Sequence, residues 1–200
     1  MATFPPPSIH TLAQLRADLP LTSEVIYLQS GSYTPVPGAT QAWMNEMLRL
    51  ENAVVLGLAG KGIAGDFYEL AELARQTLAD FLGVSAPEIA WSQNTTTATR
   101  LAVQSLSWQA GDKLALSDVE HASTFALAQG MAQERGVTTT VIPSGDGPTY
   151  APDFFLAQLD RHLTPEHKLL ILCQVANTDG RRLPVKEAVQ IARTRRQNAR

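Results

Sequence analysis

The sequence predicts an α/β fold with a mostly parallel sheet. Two observations carry that prediction. From residue 88 onward, short apolar runs alternate with helical patterns of ten or more residues, the signature of βαβ units. One of those runs, "KLLILC" at 168–173, is almost continuously apolar, as a strand covered on both faces is.

The elements follow in order. Residues 1–23 read as an N-terminal arm. It starts with the proline-rich "MATFPPPSIH", and "IHTLAQLRADLP" adds a short helical pattern ending at Pro20. "EVIYLQSGSYTPVPG" predicts a brief apolar strand and then a loop rich in Gly, Ser and Pro. Residues 38–56 predict a helix with Trp43, Met47 and Leu50 on one face, and "GLAGKGIAG" breaks it. The clearest helix is 66–82, where Phe67, Leu70, Ala71, Ala74, Leu78 and Phe81 form an amphipathic stripe and Gly83 supplies the C-cap. Then come strand "EIAWS", helix 95–107, the turn "AGD", strand "KLALS", helix 121–135 and strand "TTTVIP". Helix 152–162, strand "KLLILCQV", a loop and helix 184–196 complete the series. No internal repeat stands out.

Composition narrows the function classes. The chain has 200 residues, 44% hydrophobic and 18% charged, which suits a globular domain and not a disordered one. It has no apolar run of eighteen residues and no basic segment followed by an apolar one at its start, so neither a membrane span nor a secretory signal is expected. A cytoplasmic protein is the default reading. The single cysteine, Cys173, excludes an intramolecular disulfide and a cysteine zinc cluster, and no metal site is expected. Charge is uneven. Residues 1–180 carry nine Lys+Arg against eighteen Asp+Glu, whereas residues 181–200 carry seven against one. That basic end reads as the polar face of an amphipathic helix. The acidic remainder would repel a phosphate backbone, so no nucleic-acid partner is expected.

Three loops should leave the carboxyl ends of parallel strands, where ligands bind in open α/β sheets: "SQNTTTA", "SDVEHAST" and "QVANTDG". A helix N-terminus offers unpaired N–H groups and a partial positive charge, and threonine hydroxyls beside it add donors, so the first loop suits a phosphate. Asn94 or Thr95 can serve simply as the N-cap, but capping needs only one such residue. "GLAGKG" lacks the spacing of a Walker loop, and no GxGxxG follows a strand. In the second loop, His121 offers a flat ring that can stack on a ligand or move protons. In the third, Asn177 offers a donor and an acceptor. Together they suit a planar phosphorylated cofactor such as pyridoxal 5'-phosphate.

Four segments in this order resemble the class V aminotransferase family of fold-type-I pyridoxal-phosphate enzymes, which includes cysteine desulfurases, C–S lyases and epimerase-like proteins. They are "IYLQSGSYTPVP", "EIAWSQNTTTATRLAVQSL", "GDKLALSDVEHAST" and "LLILCQVANTDGRRLPVKEAVQIAR". The resemblance covers residues 24–195 and implies a three-layer αβα transferase fold, of which 24–200 would be an incomplete large domain. It implies that Thr95 and Thr96 hold the cofactor phosphate, that His121 stacks on the pyridine ring, and that Asn177 bonds the ring hydroxyl. Ser30, Gly31 and Ser32 would lie near the substrate, although the family's usual Asp-Asn-Ala is here Gln29-Ser30-Gly31.

The family chemistry runs through an external aldimine and a Cα carbanion. It also needs a lysine for the cofactor aldehyde and an aspartate for the pyridine nitrogen. In relatives both lie beyond the last helix of this chain. Lys61, Lys113, Lys168 and Lys186 all read as solvated surface positions. The chain thus looks like the N-terminal half of an enzyme acting on a small amino acid, a homodimer when full length, with desulfurase-like or C–S lyase chemistry. The other reading is a truncated, non-catalytic remnant or binding module. Cys173 reads as an inert thiol inside a buried strand.

Overall fold

The computed structural model describes residues 11–56, 67–147 and 150–197. The chain divides into two compact units, residues 1–91 and 92–200.

The first unit is helical among its described residues. Helix α1 (Leu12–Asp18) opens with a capping box: Thr11 accepts from the Gln14 backbone N–H, and the Gln14 side chain returns to Thr11. A 3₁₀ turn (Pro20–Ser23) follows. Helix α2 (Gly38–Val55) starts against Asp18, whose Oδ1 accepts from the Ala39 N–H at 3.1 Å. A Cβ on Gly38 would stand 3.0 Å from that same oxygen, so the close approach favours glycine there. Helix α3 (Phe67–Leu82) ends at Gly83 with φ +70°, and the Val84 N–H returns to the Ala79 carbonyl.

Two expected strands are not formed. "EVIYL" is irregular: Ile26 is 92% and Leu28 89% exposed, and the segment pairs with no described strand. "EIAWS" is extended at Ile89, but that carbonyl accepts from the Arg75 guanidinium instead of from a neighbouring strand. In both cases the local preference for extension is present and the partner ladder is missing.

The second unit is the α/β part. Helix α4 (Thr95–Gln104) is shorter than expected, because the chain leaves it at Ser105, whose hydroxyl turns back to the Ala102 carbonyl. Strand β1 (Lys113–Ser117), helix α5 (Ala122–Arg135), β2 (Thr138–Ile142), α6 (Pro152–His162), β3 (His167–Ile171) and α7 (Val185–Gln197) follow. The sheet order is β2-β1-β3, and both pairings are parallel. Central β1 is buried on both faces and its side chains alternate between two cores. Leu114 and Leu116 pack with Val103 of α4 and with Ala128 and Met131 of α5. Ala115 packs with Phe155 and Leu159 of α6 and Ala188 of α7. That is the expected three-layer αβα arrangement.

Strand β3 is shorter than "KLLILCQV" suggested. Its residues do face both cores, Leu169 and Ile171 on one side and Leu170 on the other. Cys173 consequently lies past the strand end and not inside it, half-buried.

Candidate functional site

The crevice follows from topology. β1 and β3 are neighbours, yet the helices that leave them lie on opposite faces, α5 on one and α7 on the other. Their C-terminal ends therefore part at a switch point, the usual ligand position in an open α/β sheet. The loop after β1 carries His121, and the loop after β3 carries Asn177.

His121 is the N-cap of α5. Its Nδ1 accepts from the Ser123 N–H at 3.1 Å and from the Ser123 hydroxyl at 2.8 Å. That pattern places the neutral ring's proton on Nε2 and fixes the ring's pivot, while the ring itself is exposed.

Asn177 begins the turn Asn177-Thr178-Asp179-Gly180. Backbone bonds close this turn from Ala176 N–H to the Arg181 carbonyl and from Gly180 N–H to the Ala176 carbonyl. Gly180 has φ +74°, which a side chain would strain. The Asn177 amide is exposed and makes no hydrogen bond with other described residues.

The threonine block behaves differently from its neighbour Asn94. Asn94 alone is the N-cap, its Oδ1 accepting from the Thr97 N–H at 2.9 Å. Thr95 and Thr96 are exposed at the first turn, and their hydroxyls have no hydrogen-bond partner among the described residues. Thr96 lines a groove of about 310 Å³ with Arg100 on its own helix and Ser123 of α5. The structure thus brings Thr96 beside the residue that holds the His121 ring.

Gly31 and Ser32 lie in the other unit, in a turn where the Ser32 N–H donates to the Gln29 carbonyl at 3.0 Å and Gln29 Nε2 donates to the Ser32 hydroxyl at 3.1 Å. A Cβ on Gly31 would meet nothing within 4 Å.

Two residues escaped sequence reasoning. Glu120 is buried, and Oε1 accepts from the Ser117 hydroxyl and from the Cys173 N–H, each at 2.7 Å. Arg181 was counted with the basic end, but it turns inward. It pairs with Asp179 at 2.5 Å, donates to the Ser144 hydroxyl, and lies 5.3 Å from the Tyr150 ring centre. No sequence signal separates Arg181 from Arg182. Glu120 had one, an acidic residue next to His121 in the loop between a strand and a helix.

Lys168 and Lys186 are exposed, as expected, and Lys113 is half-buried; Lys113 pairs with Glu166 at 3.6 Å and Lys168 with Asp112 at 2.6 Å. Lys61 lies outside the described residues. Lys113 opens β1 and Lys168 stands at the start of β3, so both sit at the sheet edge opposite the crevice. Cys173 carries a thiol pushed up to about 11, first by burial and then by the Glu120 carboxylate.

Residues 26–199 match the model of the family Aminotransferase class-V. This chain belongs to that family. A probable cysteine desulfurase of Methanothermobacter thermautotrophicus is 28% identical over 89% of this chain and 43% of its own length. A probable cysteine desulfurase of Vibrio cholerae is 27% identical over 90% of this chain and 46% of its own. A solved structure of the cystine C–S lyase C-DES, in complex with its product cysteine persulfide, superposes with a TM-score of 0.74 at 24% identity. It covers 88% of this chain and 45% of that one, so the shared fold extends over less than half of the lyase. The chain likewise spans less than half the length of the two desulfurase relatives.

Proposed function

We propose that this class-V aminotransferase chain cradles pyridoxal 5'-phosphate for chemistry on a small amino acid, with desulfuration or C–S bond cleavage as the reaction. The carrying observation is the start of α4: Asn94 caps it, and the hydroxyls of Thr95 and Thr96 beside it have no hydrogen-bond partner among the described residues. A dianionic phosphate suits that donor set, with backbone N–H groups, two hydroxyls and the helix's positive end. The open ring of His121 suits stacking on a flat heteroaromatic, and the exposed amide of Asn177 suits a ring hydroxyl. Gly31 and Ser32 would approach the amino-acid substrate.

The cofactor, when bound, supplies an electron sink for the substrate Cα. This chain's residues would then bind and orient. Thr95 and Thr96 anchor one end, Asn177 sets the in-plane rotation, and His121 covers one face, with Nε2–H available to a proton-accepting group. The names of the desulfurase and C–S lyase relatives favour a sulfur amino acid.

A second reading has its own observation. Lys113 and Lys168 stand at the sheet end opposite the crevice, so neither of these two strand lysines reaches a cofactor aldehyde there, and these residues would hold the cofactor without covalent attachment. Borohydride reduction of the loaded protein, with peptide mapping, separates the two. An adduct on a single lysine supports the enzyme. Assay with cysteine or cystine then names the reaction: pyruvate with ammonia means lyase, alanine means desulfurase. Cofactor binding without adduct or product leaves the binding module. Absence of saturable cofactor binding rejects both.

A further inference from the structure

We infer that Glu120 is a positioning residue that sets His121 and Asn177 relative to each other, an inference that rests on the cofactor reading above. The argument starts from the switch point. β1 and β3 part there, and no backbone ladder joins the chain past Ser117 to the chain past Ile171. A single carboxylate oxygen spans the gap. Glu120 Oε1 accepts from Ser117 Oγ on the β1 side and from the Cys173 N–H on the β3 side, each at 2.7 Å. The Cys173 thiol adds a weaker contact to the Val119 carbonyl at 3.6 Å. Glu120 is 8% exposed, so these bonds are shielded from water, where a hydrogen bond is stronger.

What hangs on each side makes this more than a structural bond. His121 is the next residue after Glu120, and its backbone starts α5. Asn177 follows Cys173 by four residues, in a turn whose closing bonds are all local. The bridge is therefore a direct tie between the segments that carry His121 and Asn177, beside the longer route in which Arg181 bonds Ser144 and the Ser144 N–H bonds Asp118. The role depends on reach and on acceptor capacity, not on charge alone. Glutamine keeps both of those, whereas aspartate keeps the charge and the acceptor oxygens but is one methylene too short to reach.

The test uses Glu120→Asp and Glu120→Gln, each alone and combined with Asn177→Ala. Pyridoxal 5'-phosphate affinity and amide exchange at Cys173 are the readouts. With Glu120→Asp, the Cys173 amide should exchange about tenfold faster or more, and cofactor affinity should fall about threefold to tenfold. Adding Asn177→Ala to it should cost little more, since a misplaced amide has nothing left to lose. Glu120→Gln should stay within about twofold of the native protein on both readouts. Native affinity in Glu120→Asp with a full Asn177→Ala effect overturns the positioning role. So does a Glu120→Gln as impaired as Glu120→Asp, which would make the role electrostatic. If Asn177→Ala and Thr96→Val leave the native chain's affinity unchanged, the cofactor reading itself fails and the positioning role with it, while Cys173 exchange still reports the bridge.

Discussion

Arg181 fastens the turn after β3 to the chain leaving β2, its Nη1 standing 3.0 Å from the buried Ser144 hydroxyl while its Nη2 pairs with Asp179 at 2.5 Å. The Arg181 side-chain hydrogen bond, and then its backbone N–H, hold the Asp179 carboxyl below the usual range. A depressed carboxyl favours the folded state above the unfolded pKa, and the benefit disappears as pH falls through the folded one. The thermal midpoint of the native protein should therefore drop on acidification below about pH 4, near the ordinary Asp pKa. Arg181→Met should lower the midpoint at neutral pH and flatten that acid limb. Arg182→Met, at an exposed site, should leave both unchanged.

Adjacent phenylalanines on α6 should differ sharply. Phe155 is 0% exposed and packs against β1, whereas Phe154 is 43% exposed. Phe155→Ala removes a buried ring and should cost about 3–5 kcal/mol in urea unfolding. Phe154→Ala should cost about 1 kcal/mol or less, with the same m-value.

His167 gives a second pH signature. Its Nδ1 accepts from the Thr164 N–H at 3.0 Å, and Nε2 lies 2.9 Å from the Thr140 hydroxyl. Burial, chiefly, holds its pKa below the ordinary histidine value. The unfolded chain then takes the proton first, so stability declines as pH falls from about 6.5 toward the folded pKa. Equilibrium unfolding at pH 7.5 and 5.5 should show the loss, and His167→Gln should show less of it. A native protein equally stable at both values contradicts the assignment.

Cys173 should be a slow nucleophile. With its thiol at about 11, the reactive thiolate at pH 8 is about one part in a thousand. Iodoacetamide labelling should be far slower than in the urea-unfolded chain. Glu120→Gln, which removes the neighbouring charge, should speed it.

Much of this fold was legible because the physics is local. Apolar alternation placed β1, α5, β2 and α6 nearly to the residue, since each carries its own burial pattern and turn signal. The two failed strands had that local pattern too. Ile89 is extended and Ile26 lies in an apolar run, but a strand is defined by its neighbour, and sequence alone does not supply one. The candidate site was legible in part for the same reason. Thr96 and His121 sit at helix starts and Asn177 in the loop after β3, places that patterning can locate. Glu120 and Arg181 act across distances of 53 and 37 residues, and no periodicity encodes such partners.

The central claim is that the start of α4 holds a cofactor phosphate. Its most direct test is equilibrium titration of pyridoxal 5'-phosphate into the native chain and into Thr96→Val, with the thermal midpoint measured on both. The hydroxyl of Thr96 makes no hydrogen bond with other described residues, so its loss should leave the midpoint unchanged. Saturable binding to the native chain, weakened about tenfold in Thr96→Val, is the predicted result. Equal affinity in the two, or no saturable binding to the native chain, would contradict it.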